Sequence, residues 1–262
     1  MKKYISLYAK LLQFNFSVLL SYRANLVNSL ISSFLWGGMS FVSILLLTSR
    51  SNSIYGWTQG ELIMITAGYN IIVGVFHMLF SPNFERFVVV INRGDLDGIL
   101  AKPADSQFML TFWYITYTTL IRITFGIVAM ALLIHILHIH VTVFSIILFS
   151  CLSILGIAIL YSIWFMVSTL LIWYPQITNV LGFLYELNGF ARFPGDAYQF
   201  FNVFVFAFFL PITFVVTTPV KSLLSKMQWN DLLGILFFSI FLVILSRFFW
   251  KFALKHYSSA SS

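Results

Sequence analysis

Apolar runs alternate with short polar gaps along this chain, and nearly all the charged residues lie in the gaps. The runs fall near residues 24–48, 61–80, 108–134, 143–172, 176–191 and 231–251. A helix needs roughly 20 mostly apolar residues to cross about 30 Å of hydrocarbon. Lipid offers no partner to exposed backbone groups, so the pattern predicts helices. The runs are too continuously apolar for barrel strands, which alternate at every second residue. The expected fold is an all-α polytopic membrane protein of about six transmembrane helices, forming one domain over 1–262. A further apolar stretch, 197–217, contains Pro211 and is closed by Pro219, whereas 176–191 is short and carries Asn179, Glu186 and Asn188. Either could complete the fifth crossing. We read 176–191 as the span and 197–217 as a helical pair dipping back from the outer side.

Residues 1–23 carry a different pattern. On a helix, Lys3, Ser6, Lys10, Gln13 and Ser17 form one polar stripe, while Tyr4, Ile5, Tyr8, Leu11, Leu12 and Leu19 gather opposite it. This predicts a helix lying in the membrane interface ahead of the first span. A secretory signal fits less well, because the continuous apolar run starts far from the basic residues and no small-residue cleavage pattern follows.

Composition supports the membrane assignment. Of 262 residues, 60% are hydrophobic and only 9% charged, against about 25% charged in soluble domains; mean hydropathy is +0.94. Lys and Arg favour the cytoplasmic side of a membrane. With both termini inside, the inner segments hold Lys2, Lys3, Lys10, Arg23, Arg86, Arg93, Lys102, Arg247, Lys251 and Lys255. The outer ones hold Arg50, Arg192, Lys221 and Lys226. The net charge of +7 is therefore read as topology and contact with anionic lipid, not nucleic-acid binding. Cys151 is the single cysteine and forms no internal disulfide.

The segment 81–107 is the most polar stretch away from the ends. Ser81-Pro82 suits a helix start, with serine as cap, and a short helix through Phe84–Ile91 would end at Asn92-Arg93-Gly94. Asp95 could cap a second piece, Leu96–Leu100, which stops before Lys102-Pro103. Asp95 and Asp97 could act as acid and base, but no histidine, cysteine or nucleophile-elbow serine accompanies them. A solvated or docking surface, apolar toward the membrane and charged toward the cytosol, fits better.

The run Gly94-Asp95-Leu96-Asp97-Gly98-Ile99-Leu100-Ala101-Lys102-Pro103 resembles the G-x-L-D-x-x-L-x-K-P loop of ABC-2 family transporter permeases, in the bacterial six-span branch without a fused ATPase. Leu210-Pro211-Ile212 through Thr218-Pro219-Val220 is similar to that branch too. The resemblance implies a permease subunit of an ATP-binding cassette transporter, an exporter, in a bacterial plasma (inner) membrane. It implies a second permease subunit, identical or homologous, over two cytosolic ATPase subunits that bind ATP and Mg; the chain itself needs no cofactor. The 81–107 loop would then be the coupling helix, with Phe84, Glu85, Arg86, Arg93, Gly94, Asp95, Leu96, Asp97, Lys102 and Pro103 as its contact set. Residues 1–23 would be the elbow helix, and 192–229, with Pro194, Pro211 and Pro219, an outer re-entrant gate. No G-x-x-x-x-G-K-[ST] phosphate loop occurs in the sequence, so this chain does not supply ATP hydrolysis by that route.

Arg122 falls in the middle of the third predicted span, where an arginine costs about 2.5–3.5 kcal/mol on insertion scales and should face a partner or a wet cavity. Glu186 is the matching acid. The two are expected to tether their helices, with contact to an anionic substrate or lipid head group as the other reading. His135, His138 and His140 do not share one helical face, so no metal site is expected. The tryptophans, Trp164 and Trp250 among them, are read mostly as interfacial belts. Ser29, Ser32, Ser33, Gly37 and Gly38 offer a small-residue face for permease–permease contact. A stand-alone secondary transporter or channel would need coupling-ion residues in the spans, where only Arg122 and Glu186 qualify. A membrane-embedded enzyme would need a polar catalytic cluster, and none is evident.

Overall fold

The computed structural model describes residues 2–49, 53–54, 56–175, 177, 179–198 and 203–257. In chain order the elements are α1 (Lys2–Ser21), α2 (Arg23–Thr48), β1 (Ser53–Ile54), β2 (Trp57–Thr58), α3 (Gln59–Leu79), α4 (Ser81–Arg93), α5 (Leu96–Leu100) and α6 (Ser106–Thr111). A 3-10 turn at Tyr117–Thr119 leads into α7 (Leu120–Ile136) and then α8 (Val143–Thr169), which ends in a second turn, Leu170–Ile172. α9 (Val180–Phe190), a third turn (Gly195–Tyr198), α10 (Val203–Leu223) and α11 (Trp229–Lys255) complete the order. The strands form one antiparallel ribbon, Ser53 opposite Thr58 and Ile54 opposite Trp57.

Five helical stretches among the described residues are long and apolar enough to cross a membrane: α2, α3, Tyr117–Ile136, Val143–Ile172 and α11. The protein is an all-α polytopic membrane protein. α3 is the central helix: 67% of its apolar window is buried, against 17–22% in the other four. Their remaining surface is apolar, with Leu46, Val143, Phe144 and Phe248 among the exposed side chains. That surface suits hydrocarbon.

Glycines set the closest helix approaches. A Cβ on Gly126 would lie 2.7 Å from the Ala67 carbonyl oxygen, where α7 meets α3. One on Gly156 would lie 2.6 Å from the Val215 carbonyl oxygen, where α8 meets α10. Val215 is four residues before Pro219, which has no N–H to give it. Gly37 packs against Phe125 and the Arg122 backbone, so part of the small-residue face of α2 is used within the chain, against α7.

The helices join two ends of the molecule. At the ribbon end, Lys226 pairs with Glu61 at 2.6 Å, and the Trp57 indole N–H donates to Asp196 Oδ2 at 2.9 Å. At the loop end, α4, α5 and α6 gather, and α1 packs on the 112–117 segment through Asn15 Nδ2 to the Trp113 carbonyl (3.0 Å) and Tyr117 OH to the Leu12 carbonyl (2.8 Å). α8 finishes near α4. α11 starts beside the Lys226 loop and reaches Ser106 at Trp250 Nε1 (3.1 Å). Between α8 and α11 the chain therefore crosses once.

Two boundaries differ from those read off the sequence. α9 has eleven residues, about 16 Å at 1.5 Å per residue, half a crossing. α10 runs unbroken for 21 residues, about 31 Å, with Pro211 and Pro219 inside it. The favoured assignment of 176–191 as the span and 197–217 as a helical pair is thus corrected; residues 176, 178 and 199–202 lie outside the described residues. Neighbouring helices make the prolines tolerable: Ile212, Val215, Val216 and Val220 are buried against them.

The third span begins at Tyr117, not at 108. The break is made by Asn83 on α4, fully buried. Its Nδ2 donates to the Leu79 and Tyr114 carbonyls (both 2.8 Å), and its Oδ1 accepts from the Trp113 and Tyr114 N–H groups at 2.8 and 2.7 Å. That is the full bonding capacity of a carboxamide. It satisfies a non-helical backbone that lipid could not.

Candidate functional site

The 81–107 segment folds as two helices on an apolar base. α5 has the expected bounds, and α4 extends the expected helix by three residues at its start and two at its end. Neither Ser81 nor Asp95 caps through its side chain: α3 ends only one residue earlier, so Phe80 holds the N-cap position of α4. Gly94 ends α4 at φ 74°, its N–H bonded to the Val90 and Ile91 carbonyls, while the Asp95 N–H returns to Val90 at 3.0 Å. This is the left-handed helix stop that glycine adopts without strain.

Of the residues singled out here, Phe84 and Leu96 are buried; Arg86, Gly94 and Asp97 are half-buried; Glu85, Arg93, Asp95, Lys102 and Pro103 are exposed. Phe84 meets Trp164 with ring centroids 5.7 Å apart, and Phe87 meets Phe165 and Trp250, each also at 5.7 Å. Such pairs contribute about 0.5–1.5 kcal/mol each beyond their buried area. They bind α4 to α8 and α11. Above this base a cavity of about 470 Å³ is lined by Arg86, Arg93, Asp95, Lys102 and Tyr114. The Arg86 guanidinium lies 5.0 Å from the Trp113 ring, and Lys102 Nζ 5.2 Å from the same ring. Burial draws the Arg86 pKa below its ordinary value, against a smaller raising influence from Tyr114.

A latch fastens the loop end. Asp105 caps α6 by accepting the Phe108 N–H at 3.0 Å and pairs with Arg247 of α11, which also donates to Gln107 Oε1 at 2.9 Å. Burial raises the Asp105 pKa, but the hydrogen bonds from Arg247 and the backbone outweigh it and leave it below the ordinary carboxylate value. A depressed folded-state pKa means stability present above the unfolded value and lost as pH falls through the folded one. The thermal midpoint in detergent should therefore drop as pH falls below about 3.9, and Asp105→Asn should flatten that drop. Partly exposed pairs contribute about 0.2–1 kcal/mol, so equal acid sensitivity in Asp105→Asn would show that the latch is idle.

The second site lies between α2, α3, α7 and α9, in a cavity of about 540 Å³ whose lining includes Trp36, Tyr69, Arg122, Glu186 and Arg192. Arg122 is 8% exposed and stands in the first turn of α7, not mid-helix, because the span starts late. Its Nε donates to Asn70 Oδ1 at 3.0 Å, and Asn70 is held in turn by Ser40 Oγ (2.7 Å) and the Thr66 carbonyl (2.9 Å). The expected Arg122–Glu186 ion pair is not formed. The ion pairs among the described residues are Lys221–Asp231, Lys226–Glu61 and Arg247–Asp105. Glu186 is exposed at the cavity lining, and the buried amide of Asn70 takes the place beside Arg122 instead. Arg192, assigned to the outer segments by the charge distribution, is in this cavity too. Its guanidinium lies 5.1 Å from the Tyr69 ring, and that of Arg122 4.9 Å from the same ring.

Glu85 on α4 accepts a hydrogen bond from Tyr185 OH at 2.5 Å, and Tyr185 lines this cavity. One bond therefore joins the loop helix to the cavity wall.

Residues 9–261 match the family model described as ABC-2 family transporter protein. The chain belongs to the ABC-2 transporter family. No curated protein and no solved structure matches it. As an ABC-2 permease it is a membrane component of an ABC transporter, and the match spans both the loop helices and the cavity.

Other residues of the ABC-2 permease find places the sequence did not give them. Pro194 is buried just before the Gly195–Tyr198 turn, while Pro211 and Pro219 lie within α10. Trp164 and Trp250 are buried rather than interfacial, because their indole N–H groups reach Asn188 Oδ1 (3.0 Å) and Ser106 Oγ (3.1 Å). His135 and His138 stand with ring centroids 6.5 Å apart at the end of α7. Asn83 and Arg192 organise the two sites and were missed. An amide after Pro82 was the one visible hint of the first; nothing local marked the second.

Proposed function

We propose that this ABC-2 permease exports its cargo by coupling to a separate cytosolic ATPase seated on α4 and α5. One observation supports this reading most directly. The exposed Arg93 ends α4, and the exposed Asp95, Lys102 and Pro103 flank α5 directly behind it, while the other face of α4 is locked to α8 and α11 through Phe84 and Phe87. A push on such a handle moves helices, not a floppy loop. The loop end also gathers Lys10, Arg23, Arg86, Arg93, Lys102, Lys251 and Lys255, as a cytosolic face would. The partner ATPase would bind ATP and Mg, and two permease subunits would face two ATPases. ATP-driven closure of the ATPases would draw the handles together and rock the membrane halves to release cargo outward.

Purification from native membranes tests the assembly. An ATP-binding subunit should co-purify in equal amount, and a Pro103→Cys variant in a Cys151→Ser background should react with an impermeant thiol reagent only from the cytosolic side. Labelling from the outer side, or solute movement by the purified chain alone, would overturn the proposal.

A further inference from the structure

We infer that the cavity around Tyr69 binds a phosphate-type oxyanion carried by a membrane amphiphile, with Arg122 and Arg192 as its ligands. The inference concerns binding alone and stands or falls independently of ATPase coupling. Two guanidinium groups approach one aromatic ring, at 4.9 and 5.1 Å, and neither joins an ion pair among the described residues. Arg122 spends its Nε on Asn70, a neutral amide that orients the group without cancelling its charge. Arg192 Nε is buried and has no hydrogen-bond partner. Glu186 lines the same cavity but is exposed, so two cations face one carboxylate and an excess of one positive charge remains. A phosphodiester monoanion balances that excess, and its oxygens match the planar fork of a guanidinium.

The shape of the cavity favours an amphiphile over a free ion. At about 540 Å³ it exceeds what a bare phosphate fills. Tyr69 is the midpoint of α3, so the charge would be held at about half the depth of the membrane. Trp36 on the lining is 67% exposed, and neighbouring Phe34 and Leu35 of α2 are 55% exposed. An acyl chain laid along α2 would keep its head group between the arginines and its tail in hydrocarbon.

The test uses the purified full-length chain in maltoside micelles, titrated with short-chain phosphatidylglycerol, short-chain phosphatidylcholine or inorganic phosphate, and read by thermal midpoint and by native mass spectrometry. Phosphatidylglycerol should bind at least about tenfold more tightly than phosphatidylcholine, and Arg192→Gln should weaken it by about tenfold. Arg122→Gln should do the same if it folds; Arg192→Gln carries the test if it does not, since no hydrogen bond to Arg192 Nε is lost. Glu186→Gln should tighten binding. Unchanged phosphatidylglycerol affinity in Arg192→Gln would place the lipid on the basic loop end and overturn the inference. Inorganic phosphate binding as tightly as phosphatidylglycerol would overturn the amphiphile as the source.

Discussion

Replacing Gly156 by valine should remove most of the folded permease from the membrane. The new Cβ would sit 2.6 Å from the Val215 carbonyl oxygen and 3.2 Å from the Val215 Cα. Those atoms are backbone inside a buried helix, so no rotamer change relieves the clash. Overpacking costs about 1–3 kcal/mol when neighbours can shift, and here the whole of α10 would have to move from α8. Gly156→Ala should fall between valine and wild type. Gly38→Val is the control, because nothing lies within 4 Å of its Cβ direction. Size-exclusion profiles and thermal midpoints in detergent read the series. A wild-type midpoint for Gly156→Val would mean that α8 and α10 do not meet there.

The second large effect concerns transport. Asp95→Lys combined with Lys102→Glu reverses two exposed charges flanking α5 without touching Phe84, Phe87 or the Gly94 stop. Exposed substitutions away from buried partners usually change stability by less than about 0.5 kcal/mol. Opposed like charges across an interface cost several times that. Lys102→Glu gives up its contact with the Trp113 ring, worth about 0.5–1 kcal/mol, so the thermal midpoint should dip slightly and the membrane level hold, while nucleotide-driven transport falls by about tenfold or more. Full transport by the double variant would remove these two residues from the docking surface.

Local rules made the loop legible from the sequence. Pro82, Gly94 and Pro103 each constrain the backbone by their own covalent structure, so α4 and α5 could be bounded with no knowledge of the rest of the fold. The four clear spans were legible because lipid imposes length and apolarity on them. The failures were non-local. Phe112-Trp113-Tyr114-Ile115 reads as apolar helix, yet Asn83, some thirty residues earlier, unwinds it with three hydrogen bonds. Pro211 suggested a helix break, yet α8 and α3 packed around α10 carry the chain through it. Arg122 was recognised as costly in lipid, but its neighbour on Tyr69 is Arg192, seventy residues away and outside any predicted span. Positive-inside counting assigned Arg192 to water because it counts side by side of a span, not depth.

The hydrogen bond between Tyr185 and Glu85 has a mechanical consequence. α9 is too short to be anchored at both membrane surfaces, so its position is dictated by what it leans on. At Tyr185 it leans on α4. Any stroke delivered to the loop helices must either stretch that bond or carry α9 along, and Glu186 and Gly189 travel with it. The width of the chamber holding Arg122 and Arg192 is then geared to the tilt of a helix at the membrane edge, directly through the Tyr185 phenol and indirectly through Trp164, which touches Phe84 of α4 and bonds Asn188 of α9.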